Sequence, residues 1–159
     1  MTTCYLALGS NLKSPRRQIH HALRNIRSIP ETCLKKISPI YQSFPQGVTK
    51  RSQPVYFNAV VMIETSLPPM QLLHHCQKIE NKQKRLRLKL WGARTMDIDV
   101  LLYGKRTLNL KHLTVPHPRM HERDFVLVPL LDIWPDATLP NGKSVKACLE
   151  ALDVRSIKR

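Results

Sequence analysis

In VYFNAVVMIE (Val55–Glu64) the side chains of Val55, Phe57, Ala59, Val61 and Ile63 fall on one side of an extended chain, and Tyr56, Asn58 and Val60 on the other. One apolar face backed by a mixed one predicts a strand packed on a core. Upstream, Thr3–Leu8 predicts a short buried strand ended by the turn formers Gly9-Ser10-Asn11. Ser14 is placed to cap a following helix with Pro15 at its first position; Ile19, Ala22, Leu23 and Ile26 recur at helical spacing, and Arg16, Arg17, Arg24 and Arg27 take the other face. Leu34–Phe44 predicts another strand, whose Pro39 lacks a ladder donor and so belongs at a sheet edge. A polar loop, 45–54, precedes the central strand.

Downstream, Pro68-Pro69 opens a helix with the buried stripe Leu72, Cys76 and Ile79, ending near Lys82. Residues 84–95 show no period and predict a long loop, and Met96–Tyr103 predicts a strand. The order β-α-β-β-α-β is the ferredoxin-like, split βαβ arrangement: an α+β fold with an antiparallel sheet, helices on one face, and the other face left for binding. Beyond Gly104, a loop with Pro116 and Pro118, an apolar segment Phe125–Ile133, a turn at Pro140-Asn141-Gly142 and a helix with Val145, Cys148, Leu149 and Leu152 make a C-terminal helical extension.

A length of 159 residues predicts a single domain spanning 1–159. Lys and Arg number 26 against 11 acids, a formal +15, while 42 % hydrophobic content excludes a disordered chain. The charge calls for an anionic partner without naming one. No stretch reaches the roughly 18 apolar residues of a membrane span, and the start lacks the pattern of a signal peptide, so a cytoplasmic location is expected. The scattered Cys4, Cys33, Cys76 and Cys148 predict reduced core thiols.

Asp97 and Asp99 are two apart on a strand, so their carboxylates project from one face about 7 Å apart along the chain. That spacing suits Mg²⁺, which takes hard oxygens and completes its shell with water and phosphate. A solvated sheet face is the alternative, opposed by Arg94 three residues before the pair and by Leu101 and Tyr103 continuing the same face. The segment 78–94 carries Lys78, Lys82, Lys84, Arg85, Arg87, Lys89 and Arg94 against Glu80 alone, with Trp91-Gly92 among them. Such cations can be a solvated surface, or can close over a polyphosphate and stabilise charge that builds during transfer. Tyr56 and Asn58 share a face, an aromatic to stack on a planar heterocycle and an amide to bond its edge, or else ordinary packing. Neither a phosphate-binding G-x-x-x-x-G-K-[ST] nor G-x-G-x-x-G occurs. The adjacent pairs His20-His21 and His74-His75 point about 100° apart on a helix and predict no zinc site.

Taken in order, Gly9-Ser10-Asn11, Tyr56-Phe57-Asn58, Gln77-Lys78-Ile79-Glu80, Arg85-Leu86-Arg87, Trp91-Gly92-Ala93-Arg94-Thr95-Met96-Asp97-Ile98-Asp99, Pro116-His117-Pro118 and Arg123-Asp124-Phe125 closely resemble the 6-hydroxymethyl-7,8-dihydropterin pyrophosphokinase family. The resemblance spans nearly the whole chain. It implies a folate-pathway enzyme that moves the β,γ-pyrophosphoryl group of ATP to the hydroxymethyl oxygen of the pterin and releases AMP. It implies that Asp97 and Asp99 hold two Mg²⁺ ions, and that Arg85 and Arg94 stabilise the transition state. Its pterin pocket would comprise Ser43, Phe44, Gln46, Tyr56, Asn58 and Phe125, with Tyr56 and Phe125 sandwiching the ring. Its ATP site would use Gln77, Glu80, Arg87, Trp91, Arg94, Val100, Thr114, His117 and Arg123.

The same resemblance implies loops at 9–14, 45–54 and 84–95 that close over the substrates. A monomer without membrane or nucleic-acid partners is expected. Phe44 stands where Pro is common in the family, Lys84 where Gly is usual, Ala93 where Pro is usual, and His112 where some members carry an ATP-contacting Arg. A neutral imidazole offers a phosphate less than a guanidinium. An RNA-binding module of the RRM type shares the element order, but needs an aromatic octamer on the open face where this chain has Tyr56, Asn58 and Val60. A non-catalytic nucleotide sensor on the same fold is the third reading.

Overall fold

The computed structural model describes residues 1–11, 14–44, 55–84 and 96–158. Within them β1 (Thr2–Ser10), α1 (Pro15–Arg27), β2 (Thr32–Ile37), β3 (Tyr41–Ser43), β4 (Tyr56–Thr65), α2 (Pro69–Lys84) and β5 (Asp97–Tyr103) follow in the predicted β-α-β-β-α-β order. The sheet runs β2-β4-β1-β5, every pair antiparallel, with β3 also on β4. Of the loops expected at 9–14, 45–54 and 84–95, residues 12–13, 45–54 and 85–95 lie outside the described residues, while Gly9 and Ser10 belong to β1 and Lys84 to α2.

The alternation in β4 is realised. Ala59, Val61 and Ile63 join Leu6, Leu8, Ile19, Ile26, Leu72 and Cys76 in a core between the sheet and α1–α2, with Phe57 packed against it. The predicted strand 34–44 is two strands, because Pro39 interrupts it. At the break Ser38 donates its amide to the Val60 carbonyl at 2.9 Å, and its hydroxyl accepts the Val60 amide at 2.9 Å, so a side chain closes the ladder. Both pieces lie at the edge beside β4, as Pro39 required.

Other local expectations change for visible reasons. Ser14 is in the left-handed region at φ 52° and makes no side-chain cap; its carbonyl instead takes the Gln18 amide. Helix α2 runs two residues beyond the predicted end, since Gln83 is buried and its amide nitrogen bonds both the backbone and side-chain oxygens of Gln18 on α1. Cys4, Cys76 and Cys148 are buried free thiols, but Cys33 is exposed on β2.

The second sheet face is not left open along its length. The hairpin β6 (Leu108–Leu110) and β7 (Leu113–Val115), unforeseen in the sequence, leads to α3 (Asp124–Ile133) and α4 (Val145–Glu150). Helices α3 and α4 cover half of that face with Val126, Leu127, Leu130, Val145 and Cys148 against Tyr5, Val60, Leu101 and Leu102. Tyr5 stacks on Trp134 with ring centroids 5.1 Å apart. An RRM-type open face is therefore absent there; among the described residues α3 and α4 leave the end carrying Asn58, Asp97 and Asp99 outside this core.

A bulge in β5 makes this possible. Tyr5 pairs with Leu102 and Leu6 with Val100, so Leu101 is an extra residue. Leu101 and Leu102 both join the α3 core, and Tyr103 turns to the α1–α2 core, where its hydroxyl donates to the Leu67 carbonyl at 2.6 Å. Leu101 thus continues the face of the aspartates and Tyr103 does not. Leu130→Ala in the fully buried α3 face should lower unfolding stability by about 2–5 kcal/mol in a denaturant titration; a loss below about 1 kcal/mol would contradict this packing.

Candidate active site

The end of the second sheet face that α3 and α4 leave outside their core is organised around Gly9. In the ladders Gly9 lies opposite Asn58 of β4 and opposite Asp97 of β5, and Ala7 lies opposite Val60 and Asp99. Residues directly across antiparallel strands share a face, so Asn58, Asp97 and Asp99 project together with Gly9 between them. The Asn58 and Asp97 backbones are therefore about 10 Å apart, two strand spacings. A Cβ at residue 9 would come within 3.3 Å of Asn58 Oδ1. The missing side chain keeps the floor between amide and carboxylate clear. Sequence reading met Gly9 only as a turn former; its place between two strands is a tertiary fact.

Asn58 is held from the β3 side. Ser43 pairs with Tyr56 across the ladder, and Asn58 Nδ2 donates to Ser43 Oγ at 2.7 Å, both residues being buried. That bond fixes which way the amide is turned. Tyr56 on β4, Phe44 directly after β3 and Phe125 on the first turn of α3 are each half-buried.

The carboxylates meet cations from the segment between β7 and α3. His117 Nε2 is 3.8 Å and Arg123 Nη1 4.0 Å from Asp99 Oδ2. His117 Nδ1 accepts the Arg119 amide at 3.2 Å, which leaves the Nε2 hydrogen on the Asp99 side. Burial, and then the positive charges of Arg123 and Arg119 against the opposing pull of Asp97, hold the His117 imidazole below its ordinary pKa and so neutral near pH 7. The Arg123 guanidinium also lies 5.8 Å over the Phe125 ring, and its buried Nε meets no acceptor among the described residues.

Among the described residues strand β5 is the last strand of the sheet, and its outer edge is met by other segments: Glu80 Oε2 from α2 accepts the Ile98 amide at 2.8 Å, between the two aspartates, and the His117 amide donates to the Leu101 carbonyl at 3.0 Å. Beside it, Gln77 and His112 line a cavity of about 420 Å³ with Met70, Leu73 and His74. Thr114 is exposed on β7, whereas Val100 is buried in the α1–α2 core. The structure thus groups Gln77 with His112, Glu80 with the aspartates' strand, and Asp99 with His117 and Arg123. Gln46, Arg85, Arg87, Trp91 and Arg94 lie outside the described residues, as does the side chain of Lys84.

A family model described as 7,8-dihydro-6-hydroxymethylpterin-pyrophosphokinase (HPPK) matches residues 5–135. The chain belongs to the HPPK family. A 2-amino-4-hydroxy-6-hydroxymethyldihydropteridine pyrophosphokinase of Haemophilus influenzae is 48 % identical over 145 residues, covering 91 % of this chain and 89 % of the relative. Its namesake from Pseudomonas aeruginosa is 45 % identical over 155 residues, covering 98 % and 94 %. The solved Plasmodium falciparum HPPK-DHPS with pteroate superposes with a TM-score of 0.74 at 14 % identity, over 94 % of this chain. This HPPK chain spans 44 % of that longer chain, and the likeness establishes the shared fold.

For an HPPK the donor set fits a magnesium site. Asp97 and Asp99 are half-buried carboxylates on one strand face, the hard oxygen donors that bind Mg²⁺ alongside phosphate. No helix among the described residues is long and apolar enough to cross a membrane. Because Glu80 supplies the acceptor for an amide on the outer edge, Glu80→Ala should speed hydrogen exchange at Ile98 and cost about 1 kcal/mol of stability. Unchanged exchange at Ile98 would remove Glu80 from this role.

Proposed function

We propose that this protein transfers the β,γ-pyrophosphoryl group of ATP to the hydroxymethyl oxygen of 6-hydroxymethyl-7,8-dihydropterin, giving the pterin diphosphate and AMP. One observation carries the reading: an amide suited to a heterocycle edge and a carboxylate pair suited to metal–phosphate binding face each other across Gly9. Around them the pterin site comprises Ser43, Phe44, Gln46, Tyr56, Asn58 and Phe125. Asn58, locked by Ser43, bonds the ring edge, and Tyr56 and Phe125 take its two faces.

ATP occupies the β5 edge. Gln77 opens the cavity on the α2 side, while His117 and Arg123 reach Asp99 on the other, so a nucleotide lying across the edge meets both. The Arg123 Nε, which meets no acceptor among the described residues, is a donor suited to an anion. Glu80, Arg87, Trp91, Val100 and Thr114 complete this site by family resemblance. Asp97 and Asp99 would hold two Mg²⁺ ions, which would supply neutralisation of the triphosphate charge. Arg85 and Arg94 stabilise charge that develops on the transferred group, and the neutral His117 steadies Asp99 without adding a competing charge.

Incubation with Mg-ATP and the pterin should yield AMP only when the pterin is present; ADP as the product would overturn the mechanism. Asp97→Ala or Asp99→Ala should lower turnover by at least about two orders of magnitude, because each removes a ligand from a reaction run by electrostatics. Arg94→Ala should reduce kcat more than ATP affinity if its contact strengthens as charge develops, and equal losses would make it a binding residue only.

A further inference from the structure

The Asp124 carboxylate is buried at 2 % exposure at the start of α3, flanked by Arg123 and Phe125 of the candidate site. It does not cap its own helix. Its Oδ2 accepts two backbone amides from the end of the chain, Ser156 at 2.8 Å and Ile157 at 2.9 Å. Those residues form an isolated antiparallel bridge on the outer side of β3. The Phe44 amide donates to the Ser156 carbonyl at 2.8 Å, the Lys158 amide donates to the Gln42 carbonyl at 2.8 Å, and Ile157 stands opposite Ser43.

A three-residue edge strand has little ladder of its own, so β3 depends on partners on both sides. On one side is β4. On the other is a tail segment held by a single carboxylate, through charge-assisted bonds that are strong away from water. Ser43, in the middle of β3, receives the Asn58 amide at 2.7 Å. A chain of direct bonds therefore runs from Asp124 through Ser156 to Phe44, and from Ser43 to Asn58.

We propose that Asp124 is a positioning residue for the heterocycle-binding half of the site, its carboxylate clamping residues 156–157 onto β3 and so setting Ser43, Phe44 and Asn58. The inference rests on the pterin reading above, but the clamp itself is testable without it. The other end of β3 supplies an internal comparison: the Tyr41 hydroxyl donates to Asp132 Oδ2 on α3, tying β3 to the same helix without passing through residues 156–157.

Steady-state kinetics of the full chain would be measured for wild type, Asp124→Ala, Asp124→Asn, Ile157→Pro and Tyr41→Phe, with KM for the pterin and for Mg-ATP determined separately. Hydrogen exchange at the Phe44 and Lys158 amides reports on the clamp directly. Asp124→Ala should raise pterin KM by about tenfold or more, with Mg-ATP KM changed by less than about twofold, and should speed exchange at both amides. Asp124→Asn keeps an oxygen for both amides and should recover pterin KM to within about threefold of wild type. Ile157→Pro removes one donor to Asp124 without removing a ladder bond of β3, and should move pterin KM in the same direction as Asp124→Ala. Tyr41→Phe should lower Tm but leave pterin KM within about twofold.

Equal rises in both KM values, or a rise in Tyr41→Phe matching that in Asp124→Ala, would reduce the clamp to general stability and overturn the proposal. Unchanged exchange at Phe44 and Lys158 in Asp124→Ala would overturn it as well. A wild-type protein that does not turn over the pterin would instead strike the functional reading, while the exchange data still judge the clamp.

Discussion

The antiparallel pairing of β1 with both β4 and β5 is the constraint on which everything else depends. It puts Gly9 opposite Asn58 on one side and opposite Asp97 on the other. A register slip of one residue in either ladder would turn Asn58 or the aspartates into the α1–α2 core, because side chains alternate with period two. That slip is opposed by the burial of Leu6, Leu8, Val61, Ile63 and Ile98 on the helical side. The hydrophobic pattern that folds the sheet therefore also orients the polar residues at its end.

The bulge at Leu101 and the cover of α3 act on the same face. By giving the lower half of β5 two consecutive residues for the α3 core, the bulge lets that half be apolar while Asp97 and Asp99 above it stay polar. Helix α3 then contributes twice, through buried leucines that close the face and through Arg123, Asp124 and Phe125 at its first turn. Arg123 and His117 place one full positive charge and one neutral donor beside Asp99. The site is electrostatically asymmetric. One end holds carboxylates with cations, and the other holds a neutral amide–hydroxyl pair.

Much of this was legible from residues. The alternation in Val55–Glu64, the stripe Leu72, Cys76 and Ile79, and the two-residue spacing of Asp97 and Asp99 are short-range patterns, and each took its expected face. Misreadings fell where a long-range bond overrides local preference. Ser38 closes a ladder that Pro39 would break, Gln83 extends α2 by docking on Gln18, and Tyr103 crosses faces because an extra residue precedes it. No local pattern marks Asp124, because its partners are 32 and 33 residues away.

By itself the sequence determined the element order, the polarity of each strand face, the metal-suited carboxylate pair and the family to which the chain belongs. These depend on residue type and on spacings within one element, where backbone period dictates direction. Only the tertiary structure decided that the second sheet face is half covered, that Gly9 separates amide from carboxylates, and that a buried aspartate ties the chain's last residues to the site. Those depend on ladder register and on hydrogen bonds between distant segments, which no local period encodes.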